Sequence, residues 1–339
     1  MDTKNITEKE FEDAVERLLI SKGGYKSANP ADYNKKKALF FDTLISFVQT
    51  TQEQQWNSFV KAYGSRAEQE FFSIFDKATR EKGILHVLKN GIRSIDATFK
   101  VCFFKVHNPH NTTADERYKL NQWHVVRQFA YSEHNHKTVD VVLTLNGIPL
   151  IAIELKNHST GQTIENAINQ WKEDRDCNET VFQFNRRILA FFAVDPCEAA
   201  ITTKLEGANT FFIPYNQGSN GAGAVGGKGN PQAPDDKFMV HYLWEEVLQT
   251  DKLLEIIDNY VTLETTGIKS EKGGKSSSSK MNKLANKRLI FPRYHQLDVV
   301  RKLLSHSEEH GAGHNYLIMH SAGSGKSNSI AWLAHQLTR

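Results

Sequence analysis

Asp140, Glu154 and Lys156 are the residues of this chain whose types and placing suit joint chemistry. They sit at the ends of two apolar runs, 139–145 and 148–156, which are rich in β-branched residues and separated by Asn146-Gly147, a strong hairpin signal. A strand apolar on both faces belongs in the middle of a sheet with helices above and below, where an unpaired charge is costly. Two carboxylates and an ammonium at the open ends of such strands could hold a divalent metal and activate water against a phosphodiester. The plainer alternative is an ion pair between Glu154 and Lys156 at a strand end.

Sharing a cation sets a condition on the turn. If Asn146 and Gly147 alone form it, Leu145 pairs with Ile148, Asp140 falls opposite Ile153, and Glu154 points to the other face. The chemistry therefore predicts a three-residue loop, Leu145-Asn146-Gly147, with Gly147 at positive φ as a G1 bulge. Thr144 then pairs with Ile148, and Asp140 lies opposite Ala152, diagonal to Glu154.

The elements that position these residues are legible in outline. Thr7 and Glu10 form a capping box, and Phe11, Ala14, Val15, Leu18 and Leu19 follow at helical spacing. Glu12 and Glu16 lie on the other face of that helix, where simple solvation accounts for them. Further helical patterns cover 37–55 and 65–82. Segments 97–104 and 123–129 predict strands joined by a polar loop with His107, His110 and Asn111. Residues 164–175 predict a crossover helix and 188–194 a buried strand. His134-Asn135-His136 spells a nuclease motif by accident, in a short polar connection. Gly221 to Gly226 matches the dinucleotide pattern, but Gly227-Lys228-Gly229-Asn230-Pro231 follows and cannot start the helix that the chemistry needs, so a surface loop is expected.

A second chemical stretch lies near the end. Residues 315–319 predict a strand, 321–326 a glycine-rich turn and 327–337 a helix, the context in which Gly323-Ser324-Gly325-Lys326-Ser327 forms a phosphate loop. Lys326 would reach the β- and γ-phosphates of ATP, Ser327 its magnesium, and the loop amides the remaining oxygens. Residues 266–287 are Ser, Gly and Lys with almost nothing to bury, so they predict a linker between a domain at 1–265 and the start of another at 288–339.

The 339 residues allow about two domains. A formal charge of +3 permits nucleic-acid contact without arguing for it. Cys102, Cys177 and Cys197 are widely spaced and lack a Cys-x-x-Cys pair, which fits a reducing cytoplasm and disfavours structural zinc. No apolar stretch of about 20 residues points to export or membrane insertion.

The Glu154-Leu155-Lys156 triplet with Asp140 looks like the PD-(D/E)XK nuclease signature. The surrounding text resembles the restriction (R) subunit of type I restriction-modification enzymes. The stretches that carry the resemblance are Thr7 to Glu12, Asn146 to Asn157, Tyr242 to Leu248 and His320 to Ser327. It implies an α/β fold: a restriction-endonuclease-like mixed sheet flanked by helices, followed by the beginning of a RecA-like ATPase domain. It further implies Mg²⁺-dependent cleavage of double-stranded DNA at Asp140, Glu154 and Lys156, with Asp140 and Glu154 as metal ligands. Methyltransferase and specificity subunits are implied as partners, and an acidic residue of the first helix sometimes joins the metal in such nucleases. The family's Gln-x-x-x-Tyr motif maps onto Gln170 as a further catalytic residue, but Asp174 stands in the tyrosine position. Phe291 to Gln296 resembles the adenine-reading motif of superfamily 2 motors, with Gln296 as the contact. His320 replaces the usual first glycine of the loop, a departure those motors tolerate. The later motor motifs are not in the sequence, so ATP binding is expected of the full-length context and ATP hydrolysis is not expected of this chain alone. The competing reading is a catalytically silent module of the same fold that binds DNA or docks partners.

Overall fold

The computed structural model describes residues 6–95, 97–106, 112–157, 161–265 and 287–338. Its centre is the hairpin that the apolar runs predict, β5 (Thr138–Leu145) and β6 (Ile148–Leu155), with scarcely a residue of either exposed. β4 (Trp123–Ala130) flanks β5, and β1 (Lys26–Ser27) closes that edge. On the other side follow β7 (Ala190–Val194), β8 (Ala199–Thr202) and β9 (Ile213–Pro214). The seven-stranded sheet is mixed: β1 runs parallel to β4 and β6 parallel to β7, while the remaining neighbours are antiparallel. The expected α/β sheet flanked by helices is thus present.

Alternate residues feed two cores. Ile151, Ile153 and Leu155 of β6 join Phe11, Val15 and Leu19 of α1 (Glu8–Ser21) in a large cluster on one face. Ala152 joins Val142 and Trp171 on the other. Each fully buried aliphatic side chain contributes about 1.5–3 kcal/mol, so a slip of one residue would invert both faces at prohibitive cost. The Thr7–Glu10 capping box of α1 forms as expected. The pattern over 37–55 resolves into α2 (Phe41–Thr51) and the start of α3 (Glu53–Tyr63), and that over 65–82 into α4 (Ala67–Lys82). Between α5 (Ile84–Asn90) and α6 (Thr112–Lys119), the expected strand over 97–104 contracts to β3 (Thr98–Phe99), which pairs with β2 (Ile92–Arg93), and residues 107–111 lie outside the described residues. The segment around Gly221–Gly226 contains turns and no helix.

The turn between β5 and β6 differs from the expected one. Asn146 (φ 50°) and Gly147 (φ 81°) form a two-residue turn, both in the left-handed region, with Leu145 opposite Ile148 and Thr144 opposite Pro149. The register then shifts: Leu143 pairs with Ile151, which leaves Leu150 bulged. Pro149 has no N–H to give the ladder, so the interruption falls where a hydrogen bond is already missing. Beyond the bulge Val141 pairs with Ile153, and one further rung puts Asp140 directly opposite Glu154. The convergence of the acids holds, through a bulge three residues later than the predicted one.

The second chemical stretch departs further. Among the described residues, 315–319 form no strand, and Leu317 and Met319 are 86% and 83% exposed. A strand needs a ladder partner for its amides, and none pairs with it among the described residues. Most of the proposed linker, 266–286, lies outside the described residues. Its flanks, β10 (Thr262–Thr265) and β11 (Lys287–Ile290), pair with each other antiparallel. The helix Tyr294–His310 packs back on the first unit through Leu297 and Val300, and Arg301 pairs with Glu255 at 2.9 Å. A chain nicked within 266–286 should therefore still elute as one species from a native sizing column; separation into two peaks would contradict this packing.

Candidate active site at the open end of the central hairpin

Asp140, Glu154 and Lys156 meet at one end of the β5–β6 hairpin, with relative exposures of 7%, 0% and 9%. Asp140 Oδ2 accepts the Leu155 amide at 2.7 Å, which ties the acid to the neighbouring strand. The ion pair between Glu154 and Lys156 that the plainer reading expects is not made. Lys156 Nζ lies 2.7 Å from Glu8 Oε1, and Glu154 Oε1 accepts from Arg175 Nε at 2.7 Å.

Helix α1 supplies the other wall. Its capping box starts the helix at Glu8, so Glu8 and Glu12 fall one turn apart on the same face. One oxygen each of Glu8, Glu12 and Asp140 lies within 4.8 Å of the others. Arg127 Nη2 and Gln128 Nε2 hold Glu12 at 2.8 Å and 3.1 Å. Glu16 instead binds Ser27 and Arg127, away from Asp140. Gln128 occupies the rung facing Asp140, at φ 46°. Such a backbone costs about 1–3 kcal/mol in a non-glycine residue and tends to gather at functional sites.

Gln170 begins a π-helical turn, Gln170–Asp174, that continues α7 (Ile164–Asn169); its Oε1 is buried without a partner. No hydrogen bond joins it to Asp140 or Glu154 among the described residues. Asp174, in the family's tyrosine position, forms an exposed ion pair with Lys137 at 2.7 Å, worth little to stability. Glu8, Gln128 and Arg175 escaped the sequence reading. Glu8 had a signal, four residues ahead of Glu12 on one helix face; Arg175 had none.

Burial raises the pKa of Asp140, opposed by the Leu155 amide and Lys156. Burial, and then the charge of Asp140, hold Glu154 well above the usual range, against the pull of Arg175. The folded chain thus binds a proton here more tightly than the unfolded chain. That stability is fully present below the ordinary carboxylate value of about 4 and is lost as pH rises through the raised one. In chelator, melting temperature should fall as pH rises across that window, and Glu154→Gln should flatten the slope; an unchanged slope would refute the assignment.

The donor set suits a hard cation. Glu8, Glu12 and Asp140 offer oxygen alone, and among the described residues Glu154 Oε2 is buried with no hydrogen-bond partner and no histidine or cysteine joins the cluster. Oxygen-only ligation is what Mg²⁺ or Mn²⁺ takes.

The nucleotide-loop residues gather elsewhere. Gln296, Gly323, Ser324 and Gly325 line a cavity of about 660 Å³ whose lining also includes Thr203 and Lys204. Gln296 Nε2 donates to Gly325 O at 2.9 Å, so the expected adenine reader rests on the loop itself. Lys326 Nζ donates to the carbonyls of His320 and Ser321, each at 3.0 Å, and Ser327 is exposed.

Residues 5–210 match the family described as type I restriction enzyme R protein N terminus. The chain belongs to that family. Every residue of the hairpin site lies inside the matched span of this restriction-enzyme R-protein region, and the nucleotide loop lies outside it. No curated protein matches the chain. No helix among the described residues is long and apolar enough to cross a membrane.

Proposed function

We propose that this chain carries the nuclease of a type I restriction enzyme R subunit, a PD-(D/E)XK-type domain that cuts double-stranded DNA with Mg²⁺. The observation that carries the reading is Asp140 placed directly opposite Glu154, with Lys156 and the α1 acids Glu8 and Glu12 alongside, inside the matched span. Asp140 and Glu154 hold the cation, with Glu8 and Glu12 as further candidate ligands. A divalent cation there neutralises phosphate charge and lowers the pKa of water. Lys156, released from Glu8, offers its ammonium to the phosphate, and the apolar strands behind it keep the acids from swinging away. Gln170 remains a further catalytic candidate through its buried, unpartnered Oε1.

The second stretch binds ATP in our reading, with Lys326 and Ser327 on the phosphates and their magnesium, the amides of Gly323, Ser324 and Gly325 around them, and Gln296 nearby. It is the beginning of a RecA-like, superfamily 2 motor unit that drives DNA translocation in the full protein. Methyltransferase and specificity subunits complete the complex, and three widely spaced cysteines without a Cys-x-x-Cys pair suit a cytoplasmic setting. Lys326→Ala should weaken binding of a fluorescent ATP analogue at least tenfold, by removing the charge that meets the phosphates; unchanged affinity would refute the loop assignment.

The engagement of Lys156 by Glu8 favours a second reading, a catalytically silent module. One experiment tests both: plasmid cleavage by this chain reconstituted with methyltransferase and specificity subunits, with and without Mg²⁺ and ATP. Metal-dependent cleavage that Asp140→Ala removes supports the nuclease, and its absence in the parent complex supports the silent module.

A further inference from the structure

The crossover from β6 to β7 does not end as an ordinary helix. It widens into the π-helical turn at Gln170–Asp174, and the next residue, Arg175, turns inward until only 3% of its side chain is exposed. Nε donates to Glu154 Oε1 at 2.7 Å, and Nη2 lies 2.6 Å from the same oxygen. Nη2 also donates to the Thr138 carbonyl at 2.7 Å, and the guanidinium carbon sits 5.8 Å from the ring centre of Tyr131. The guanidinium is thus fixed by β5, by β6 and by an aromatic ring together. Both of its contacts with Glu154 go to one oxygen, and among the described residues Oε2 stays buried without a hydrogen-bond partner.

We propose that Arg175 is a positioning residue for the divalent cation: it clamps Glu154 by Oε1 so that Oε2 alone is presented beside Asp140. The inference rests on the metal-dependent reading above. A planar guanidinium can grip the carboxylate through Nε and Nη2 while bonding a carbonyl, whereas a lysine ammonium on a flexible stem cannot hold that geometry. Partners that orient a metal-binding carboxylate typically change affinity about 10- to 100-fold when removed.

The test is Mn²⁺ binding to the 339-residue chain, read from the electron paramagnetic resonance of free Mn²⁺, with thermal melting followed alongside. The proteins compared are the parent, Asp140→Ala, Arg175→Lys, Arg175→Gln, Glu154→Gln and the Glu154→Gln/Arg175→Gln double variant. Each Arg175 single variant should lose about 10- to 100-fold in affinity, and the double variant should bind no more weakly than Glu154→Gln. That pattern is the mark of a residue acting through Glu154. Parental affinity in Arg175→Lys would overturn the proposal, as would the same loss from Arg175→Gln in both backgrounds. If no Arg175 single variant folds, its role is in folding alone and the proposal is equally overturned. Failure of the metal reading looks different: Asp140→Ala would then bind Mn²⁺ as the parent does, whatever Arg175 does.

Discussion

Glu154→Ala should abolish DNA cleavage and also cost the fold about 3–5 kcal/mol, the penalty for leaving one member of a buried ion pair alone. The partner left behind is Arg175, whose guanidinium has nowhere to reach water. Asp140→Ala should abolish cleavage too, at a smaller cost of about 1–3 kcal/mol for the stranded Leu155 amide. Lys156→Ala should do the same with little effect on stability, because its partner Glu8 is partly exposed and can be hydrated. In the reconstituted complex all three variants should still translocate DNA with ATP, since the loop proposed to bind the nucleotide lies in another part of the chain. Urea denaturation and plasmid cleavage measured together check the set. A variant cutting at the parental rate, or Glu154→Ala unfolding no more easily than Lys156→Ala, would refute these roles.

Gly147→Ala should be the most damaging conservative change in the central hairpin. The left-handed backbone at Gly147 costs a residue with a side chain about 1–3 kcal/mol. An added Cβ would also stand 2.3 Å from the Phe40 carbonyl oxygen and 3.0 Å from the Leu44 amide nitrogen. Neither backbone has room to yield, because Phe40 N–H already donates to Gly147 O at 2.9 Å and α2 begins there. A loss of at least about 3 kcal/mol is expected in urea denaturation, combining strain and clash. Mn²⁺ affinity should fall as well, since the turn sets where the bulge, and so the acid pair, can form. Parental stability would show that the hairpin turns elsewhere.

What the sequence revealed was local. The Asn146-Gly147 pair, the doubly apolar strands and the Thr7–Glu10 cap state their preferences within a few residues, and the hairpin and the capped helix formed, though the turn between the strands is tighter than expected. The bulge was misplaced because it depends on distant partners: Asn146 is buried against the Gln122 and Val101 backbones, which favours the tight turn, and the register corrects itself at Pro149 and Leu150. Arg175 was invisible for a similar reason, since its inward turn follows a π-helical widening that no periodicity announces. The apolar run 315–319 shows the opposite failure. Its composition states a strand preference that goes unmet for want of a neighbour.

The antiparallel pairing of β10 with β11 brings residues 265 and 287 together whatever connects them. Closing a loop across a fixed clasp costs little more when the loop grows, about 0.6 kcal/mol for each doubling of its length. The connection is therefore a natural socket for cargo. A fluorescent protein, whose own termini lie close together, can be spliced in there as a passenger and should leave both the hairpin acids and the nucleotide loop in place, giving a way to watch single complexes on DNA.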